Sequence, residues 1–388
     1  MPRYAGSGNV SGVTGRLPVP LSVLDLCPVP TGESAGEALR RSVDLARHAE
    51  RWGFTRYWVA EHHSMPGIAS SAPAVLAGQI ASATSAIRVG SGGVMLPNHA
   101  PLTVAEQFGT LEAMHPGRID LGIGRAPGTD RATARALRRS AEGLPPVNFA
   151  SQVAELRAYF AGRAAEGGSQ GPIRAIPAEG NEPAVWLLGS TGYSAELAAR
   201  LGLPFAFAYH FSAANARPAL ALYRRAFTPS ARLAKPYCLI SVSVLCAEDA
   251  AAARWLHGSW RLSMLRRRAG RPSTLPSPEE AAQRAYSQAE LTVIAEATGS
   301  DVVGDPGTVI ESLGRLIAST GADELMVTTS TFAHAARLAS YELLARAAVG
   351  PGEQRASPLL GVVPAVTPQQ ILHAGSPGQT VDPAEGLG

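Results

Sequence analysis

The sequence predicts an α/β fold, a TIM (β/α)8 barrel with insertions at its C-terminal rim. Short β-type runs alternate with longer segments of helical period, and eight such runs occur along the chain. The length of 388 residues fits one decorated barrel. The composition, 46% hydrophobic and 17% charged, is that of a chain that buries a large core and excludes general disorder.

The first βα unit sets the pattern for the rest. A strand is predicted at residues 21–26, and residues 36–52 follow with apolar positions at helical spacing on one face, as an outer helix requires. The cycle then repeats through the chain. The other predicted strands are residues 57–60, 87–96, 118–123, 184–188, 204–209, 237–247 and 324–329.

Two stretches interrupt this cycle, at residues 125–150 and 262–299. In a barrel, such insertions lie at the rim where ligands bind. The chain ends lack helical or strand periodicity and are rich in Gly with Ser or Pro, which is typical of mobile segments. The predicted division is a flexible N-terminal segment over 1–17, a barrel domain over 18–350 and a mobile tail over 351–388.

Charge and cysteine content bound the range of partners and compartments. The formal net charge of +3 favours a small-molecule ligand over nucleic acid or an anionic membrane. The three cysteines show no C-x-x-C spacing, which indicates neither a disulfide framework nor a thiolate metal site. The longest apolar stretch, residues 237–246, is too short to span a bilayer, and no signal-peptide pattern is present. We therefore expect a cytoplasmic protein without a membrane partner.

A carboxylate and two histidines, Glu61, His62 and His63, directly follow the second predicted strand. At this edge of a barrel a histidine can act as general acid or base, with a neighbouring group orienting its ring. A structural histidine that caps the strand explains the pattern equally well. Zinc is disfavoured, because adjacent strand residues point to opposite sides and the H-E-x-x-H spacing is absent. These three residues are the catalytic candidates, and no metal site is predicted.

Glycines interrupt the third predicted strand at Gly90, Gly92 and Gly93. Glycine inside a strand marks a bulge or a place where a flat ring or another backbone comes close. A crowded barrel interior with no room for side chains is the more common explanation. The strand pattern alone therefore does not decide between a ligand site and a crowded interior at the diglycine Gly92-Gly93.

An arginine between glycines, Arg125, ends the fourth predicted strand. The Gly-rich run around it differs from the dinucleotide fingerprint, because its last glycine comes one position late and Pro127 follows. A Rossmann site is therefore rejected. Arg125 can present its guanidinium to a phosphate, and an ordinary surface arginine explains it equally well.

A run of small and hydroxyl residues follows the fifth predicted strand and precedes a helix predicted at 195–201. Free backbone N–H groups at a helix start, together with hydroxyls, form an anion cradle. Helix capping explains Ser190 or Thr191 but not the whole run, so a phosphate site is favoured. The residues of this run are Ser190, Thr191, Gly192, Tyr193 and Ser194.

Taken together, these segments resemble the bacterial luciferase-like family of flavin-dependent oxidoreductases. The match extends over about residues 20–347, in order and at barrel spacing. The segments that carry it are VAEHH at 59–63, RVGSGGVMLP at 88–97, PGRIDLGIGR at 116–125, LGSTGYS at 188–194, VGDP at 303–306 and GADEL at 321–325.

The resemblance implies a barrel that binds reduced FMN or, in another branch, a deazaflavin coenzyme. By position, His62 matches the histidine beside the flavin, and Gly92-Gly93 matches a non-proline cis peptide beneath the flavin ring. Arg125 and the loop at 190–194 match the groups that hold the FMN phosphate. Gly124 stands where luciferase itself carries a reactive cysteine, so light emission is not implied.

The function implied by this resemblance is a monooxygenase that uses reduced FMN and molecular oxygen on a small organic substrate. A separate flavin reductase is expected to supply reduced FMN, because no pyridine-nucleotide motif is visible, and a homodimer is implied by the resemblance alone. The alternatives are a deazaflavin-dependent hydride transfer and a non-catalytic flavin-binding protein. Tyr209 and His210 are candidates for the cavity mouth by position only. The arginine- and alanine-rich composition suggests a GC-rich genome, which is compatible with a substrate from secondary metabolism.

Overall fold

Parallel strands form a single sheet in the computed structural model, which describes residues 16–126, 131–138, 148–163 and 173–348. Within these ranges the sheet has nine strands. They are β1 Leu21–Asp25, β2 Arg56–Val59, β3 Arg88–Met95, β4 Ile119–Gly124, β5 Ala184–Gly189, β6 Phe205–Ala208, β7 Cys238–Cys246, β8 Val302–Gly304 and β9 Glu324–Thr328.

Eight of these strands close into a barrel. Neighbours follow the order β6, β5, β4, β3, β2, β1, β9, β7, and the pairing of β6 with β7 joins the two ends. The remaining strand, β8, pairs only with Val244, Leu245 and Cys246 at the far end of β7, outside the ring. The prediction of a TIM barrel is confirmed, and the eight predicted strands correspond to β1–β7 and β9.

The helices that cover the barrel include both the expected outer helices and those of the insertions. The first shows how the local sequence starts a helix: the Ser34 hydroxyl accepts from the Glu37 N–H, and the Glu37 carboxylate accepts from the Ser34 N–H. The helices are α1 Ala35–Arg51, α2 Pro73–Ala83, α3 Pro101–Met114, α4 Arg131–Arg138, α5 Phe149–Phe160, α6 Gly192–Leu201, α7 Tyr209–Ser212, α8 Ala216–Ala226, α9 Ala250–Arg268, α10 Pro278–Gln283, α11 Gln288–Thr298, α12 Pro306–Thr320 and α13 His334–Ala348.

The second insertion is a packed helical unit. The first of its residues belong to the end of α9, and α10 and α11 pack against that helix. Leu262, Leu265, Ala281 and Ile294 form a small apolar cluster of their own. The stretch at 262–299 therefore has a core that holds the end of α9 in place beside the barrel.

The predicted division of the chain stays a prediction. Residues 1–15 and 349–388, which hold most of the N-terminal segment and the whole predicted tail, lie outside the described residues. Leu17, at the end of the predicted flexible segment, is buried. Within the described ranges, no helix combines the length and apolarity that crossing a bilayer requires.

A network of paired charges fills the barrel interior near the N-terminal ends of the strands. The Arg56 guanidinium donates to Glu324 and Asp120, with N–O distances of 2.9 Å to each carboxylate. Arg88 donates to the other oxygen of Asp120 at 2.6 Å, and the Trp58 indole N–H donates to Asp120 at 2.9 Å. Arg56, Asp120 and Glu324 are fully buried. Trp58 belongs both to this network and to the lining of the cavity described below.

Candidate active site

A cavity of about 580 Å³ opens at the C-terminal ends of the strands, within the size range of small-molecule sites. Its walls come from residues on or shortly after all eight barrel strands, with Arg267 added from α9, and they are mostly apolar. The charged, hydroxyl and imidazole groups that line it are His62, Arg125, Ser190, Thr191, Ser194, His210, Ser241 and Arg267.

The predicted diglycine forms part of this wall. The peptide bond between Gly92 and Gly93 is cis, as the family resemblance implies. A Cβ atom on Gly93 would lie 2.6 Å from the Gly122 carbonyl oxygen, and one on Gly92 would lie 2.6 Å from Leu24 Cδ1. The crowded-interior explanation is therefore correct for both positions. It is also compatible with a site, because the bare backbone faces the cavity.

His62 faces the cavity, and its backbone N–H donates to the Ser70 carbonyl oxygen at 2.9 Å. Its Nδ1 is buried and has no hydrogen-bond partner among the described residues. Burial, and next the positive charge of Arg267, lower the pKa of His62 to about 4. The ring is therefore neutral at pH 7 and offers one nitrogen as a proton acceptor.

Glu61 and His63 pair with each other below the cavity wall. The fully buried Glu61 carboxylate accepts from His63 Nε2 and His99 Nε2 at 2.9 Å each, and from the Met95 N–H at 3.0 Å. Burial opposes ionisation, but the hydrogen bond and charge of His99 lower the pKa of Glu61 below its ordinary value. Neither residue is among those that line the cavity. The expectation that one of them orients His62 stays a prediction.

Arg125 and the start of α6 form a polar corner of the cavity. The Arg125 guanidinium lies 4.5 Å over the ring of Tyr193. Helix α6 begins at Gly192, earlier than predicted, and its N-cap Thr191 makes no side-chain capping hydrogen bond. Capping therefore does not occupy the Thr191 hydroxyl, and the first N–H groups of the helix have no such partner. Ser190, Thr191 and Ser194 line the cavity, whereas Gly192 and Tyr193 do not.

Two polar residues complete the cavity on the other side. His210 Nδ1 lies 3.0 Å from the Ser241 hydroxyl, and burial lowers the pKa of His210. Arg267, in the last turn of α9, is half-buried, and burial followed by the charge of Arg268 lowers its pKa. His210 was predicted by position, although Tyr209 beside it does not line the cavity. Arg267 was missed, because the residues around it were interpreted as the start of an insertion.

The cavity is electropositive. Two arginines, Arg125 and Arg267, line it, and no aspartate or glutamate does so in the part of the chain that the structure describes. Positive groups without carboxylate partners, set in apolar walls, favour ligands that bring their own negative charge.

Comparison with known proteins identifies the family. A sequence model of luciferase-like monooxygenases matches residues 19–324. The chain belongs to the luciferase-like monooxygenase family. It is 47% identical over 326 residues to a luciferase-like monooxygenase of Escherichia coli K12, covering 84% of this chain and 96% of that protein. It is 50% identical over 325 residues to protein YvbT of Bacillus subtilis, covering 84% and 95%.

Solved structures of this family share the barrel. The crystal structure of apo-MsnO8 is 38% identical, covers 85% of this chain and 97% of its own, and superposes with a TM-score of 0.74. More distant structures share the fold alone. They include the FMN complex of the oxygenating constituent of 3,6-diketocamphane monooxygenase from Pseudomonas putida, at 20% identity and a TM-score of 0.62, and an F420-dependent secondary alcohol dehydrogenase, at 15% and 0.60.

Proposed function

We propose that this luciferase-like monooxygenase uses reduced FMN and molecular oxygen to oxygenate a small organic substrate. The observation that carries the proposal is the pairing, in one apolar cavity, of an anion-binding corner at Arg125 with the bare backbone of Gly92-Gly93. A phosphate and a flat aromatic ring on one ligand fit these two features. Bound reduced FMN would supply the activation of oxygen, which no amino-acid side chain performs.

The phosphate end of FMN fits the corner formed by Arg125 and α6. The guanidinium can donate two parallel hydrogen bonds to phosphate oxygens, and Tyr193 restrains it by stacking. The hydroxyls of Ser190 and Thr191 and the free N–H groups of Gly192 and Tyr193 add donors at the positive end of the helix dipole. These residues would hold the phosphate of the cofactor.

His62 is proposed as the proton-handling residue of the reaction. Its neutral ring faces the cavity, and its buried Nδ1 lacks a partner among the described residues, so the ring is free to exchange a proton with a bound substrate. The apolar walls exclude water from this proton. Glu61 and His63 act as positioning residues, because they join the loop after β2 to the end of β3.

Reduced FMN is proposed to come from a separate flavin reductase, since the chain shows no pyridine-nucleotide motif. A relative in Bacillus subtilis named N-acetyl-S-alkylcysteine monooxygenase is 43% identical over 190 residues, covering 49% of this chain and 56% of that protein. This relative supports oxygenation of a small organic molecule as the reaction type. A homodimer in the cytoplasm, acting on a secondary metabolite, stays part of the proposal.

Anaerobic binding of the two reduced coenzymes tests the cofactor. Reduced FMN is expected to bind at micromolar concentrations, and Arg125→Met is expected to weaken it by about tenfold or more, because a charged hydrogen bond is lost. Arg200→Met is the control, since Arg200 is an exposed arginine in the last turn of α6 and does not line the cavity. Absence of micromolar FMN binding would remove the proposal, and preferential binding of reduced F420 would replace it with hydride transfer.

Oxygen uptake tests the reaction itself. On admitting air to the protein with reduced FMN and a trial substrate, oxygen consumption is expected to exceed the free-flavin background. His62→Ala is expected to retain flavin affinity within about twofold and to lower turnover by about 100-fold. Uptake that never rises above background across a broad substrate panel would favour a non-catalytic flavin-binding protein.

A further inference from the structure

Arg267 is a charged group that the proposed chemistry does not use. It lies in the last turn of α9, half-buried, and lines the cavity. Among the described residues its guanidinium makes neither an ion pair nor a hydrogen bond, whereas Arg266 beside it pairs with Glu280. Its pKa is lowered by burial and by Arg268, with no carboxylate acting in the opposite direction. A half-buried guanidinium without a counter-ion, aimed into a cavity, is an incomplete ion-binding site.

Arg267 and Arg125 reach the cavity from opposite sides. Arg125 follows β4, whereas Arg267 also lines a small crevice with Leu26, Met65 and Ser330, which follow β1, β2 and β9. In the ring of eight strands β4 lies across the barrel from β9. A phosphate held at Arg125 therefore does not neutralise Arg267, and a second anionic group is required.

The surroundings of Arg267 indicate what kind of anion fits. The cavity walls near it are apolar, with Leu26 and Met65 lining both the cavity and the crevice and Phe211 lining the cavity. The planar guanidinium matches a carboxylate with two parallel hydrogen bonds. Building on the proposed function, we propose that Arg267 binds the carboxylate of the substrate, which is a hydrophobic carboxylic acid.

This placement also connects the substrate to His62. Both groups line the same cavity, and the charge of Arg267 contributes to the lowered pKa of His62. A carboxylate on Arg267 offsets that charge and raises the proton affinity of His62. The bound acid thus sits beside the residue proposed to handle the proton, with its apolar part directed along the apolar walls toward the diglycine.

Calorimetric titration of the FMN-equilibrated protein with simple acids tests the assignment. The probes are the straight-chain acids from butanoate to decanoate, each compared with its uncharged primary amide. The wild type is expected to prefer the acid by about tenfold or more at the best chain length. Arg267→Met is expected to remove that preference, Arg267→Lys to retain part of it, and Arg268→Met, the adjacent exposed control, to retain it fully.

The same preparations separate this assignment from the cofactor proposal. Arg267→Met is expected to bind reduced FMN within about twofold of the wild type, because Arg125 lies across the barrel. Equal affinity for acid and amide in the wild type, retention of the preference in Arg267→Met, or no binding of any probe overturns the carboxylate assignment while FMN binding stands. Failure of FMN to bind overturns the proposed function instead. Retained preference in Arg267→Lys shows that loss in Arg267→Met reflects charge rather than misfolding.

Discussion

The two ends of the barrel interior use buried arginines in opposite ways. At the N-terminal end, Arg56 lies between the carboxylates of Glu324 and Asp120, and all three side chains are fully buried. At the C-terminal end, Arg267 reaches the cavity with no carboxylate partner among the described residues. One arginine has its charge balanced by the fold, and the other leaves its charge to be balanced by a ligand.

The contrast extends to the neighbouring groups. Burial raises the pKa of Asp120, but the charges of Arg88 and Arg56 outweigh it and hold that pKa below its ordinary value. At the cavity, burial and the charge of Arg267 act in the same direction and keep His62 neutral. The balanced charges pair with one another inside the barrel, whereas the unbalanced ones line the cavity that we propose as the site of binding and proton transfer. We therefore expect substitutions at the N-terminal end to change the free energy of unfolding, and substitutions at the cavity to change its dependence on pH.

The largest expected effect comes from breaking the balanced end. Arg56→Met leaves Glu324 and Asp120 buried without their shared partner, and we expect it to lower the free energy of unfolding by about 3–5 kcal/mol. Urea unfolding at pH 7 measures this. Arg315→Met, which breaks an exposed pair with Glu311, is the control and should change stability by about 1 kcal/mol or less. Similar losses in both variants would contradict the distinction between buried and exposed pairs.

The next effect concerns acid stability at the unbalanced end. The pKa of His62 is lowered from 6.5 to about 4 in the folded protein, so the unfolded chain binds the proton first as the pH falls. The stability associated with the neutral ring is present above pH 6.5 and is lost as the pH falls toward 4, by up to about 2 kcal/mol at pH 5. His62→Gln should remove this part of the slope.

Unfolding curves of the wild type and His62→Gln between pH 7.5 and pH 4.5 measure that slope. His48→Gln is the matched substitution control, because His48 belongs to α1 and does not line the cavity. Parallel pH profiles for the wild type and His62→Gln would show that the ring is not held neutral by the fold.

The smallest expected effect is that of the Arg267 charge on the pKa of His62. Arg267→Met removes a positive charge that disfavours protonation of His62, so the pKa of His62 should rise. Arg268→Met, on the exposed neighbour, should change it less. Titration of the His62 ring proton by NMR measures both values. An unchanged pKa in Arg267→Met would place Arg267 too far from His62 for the arrangement described here.

The sequence was sufficient for the barrel because each βα unit repeats the same period. All eight barrel strands are predicted from runs of apolar and β-branched residues that recur between helical segments. Strand β8, Val302–Gly304, which lies outside the barrel, was not predicted, because three residues carry no periodicity. The end of α9 was assigned to an insertion, since its run of arginines interrupts the apolar pattern, and this concealed Arg267.

The site was predictable where the functional residues are adjacent in the chain. His62 and Arg125 follow the ends of strands, and the diglycine lies in the C-terminal half of β3, so all three are near the barrel end where ligands bind. The partners of Glu61 could not be predicted in this way. His99 is 38 positions later and reaches Glu61 only because the loops after β2 and β3 meet in space.

Glu61 also has a consequence for how the cavity is assembled. Its carboxylate accepts the Met95 N–H, and Met95 stands two positions after Gly93, while His62 is the next residue after Glu61. The separation between the imidazole and the diglycine is therefore set by two short stretches of covalent chain and one hydrogen bond. Because the fold itself sets the distance between His62 and the diglycine, ligand binding need not supply the free energy to bring these two groups together.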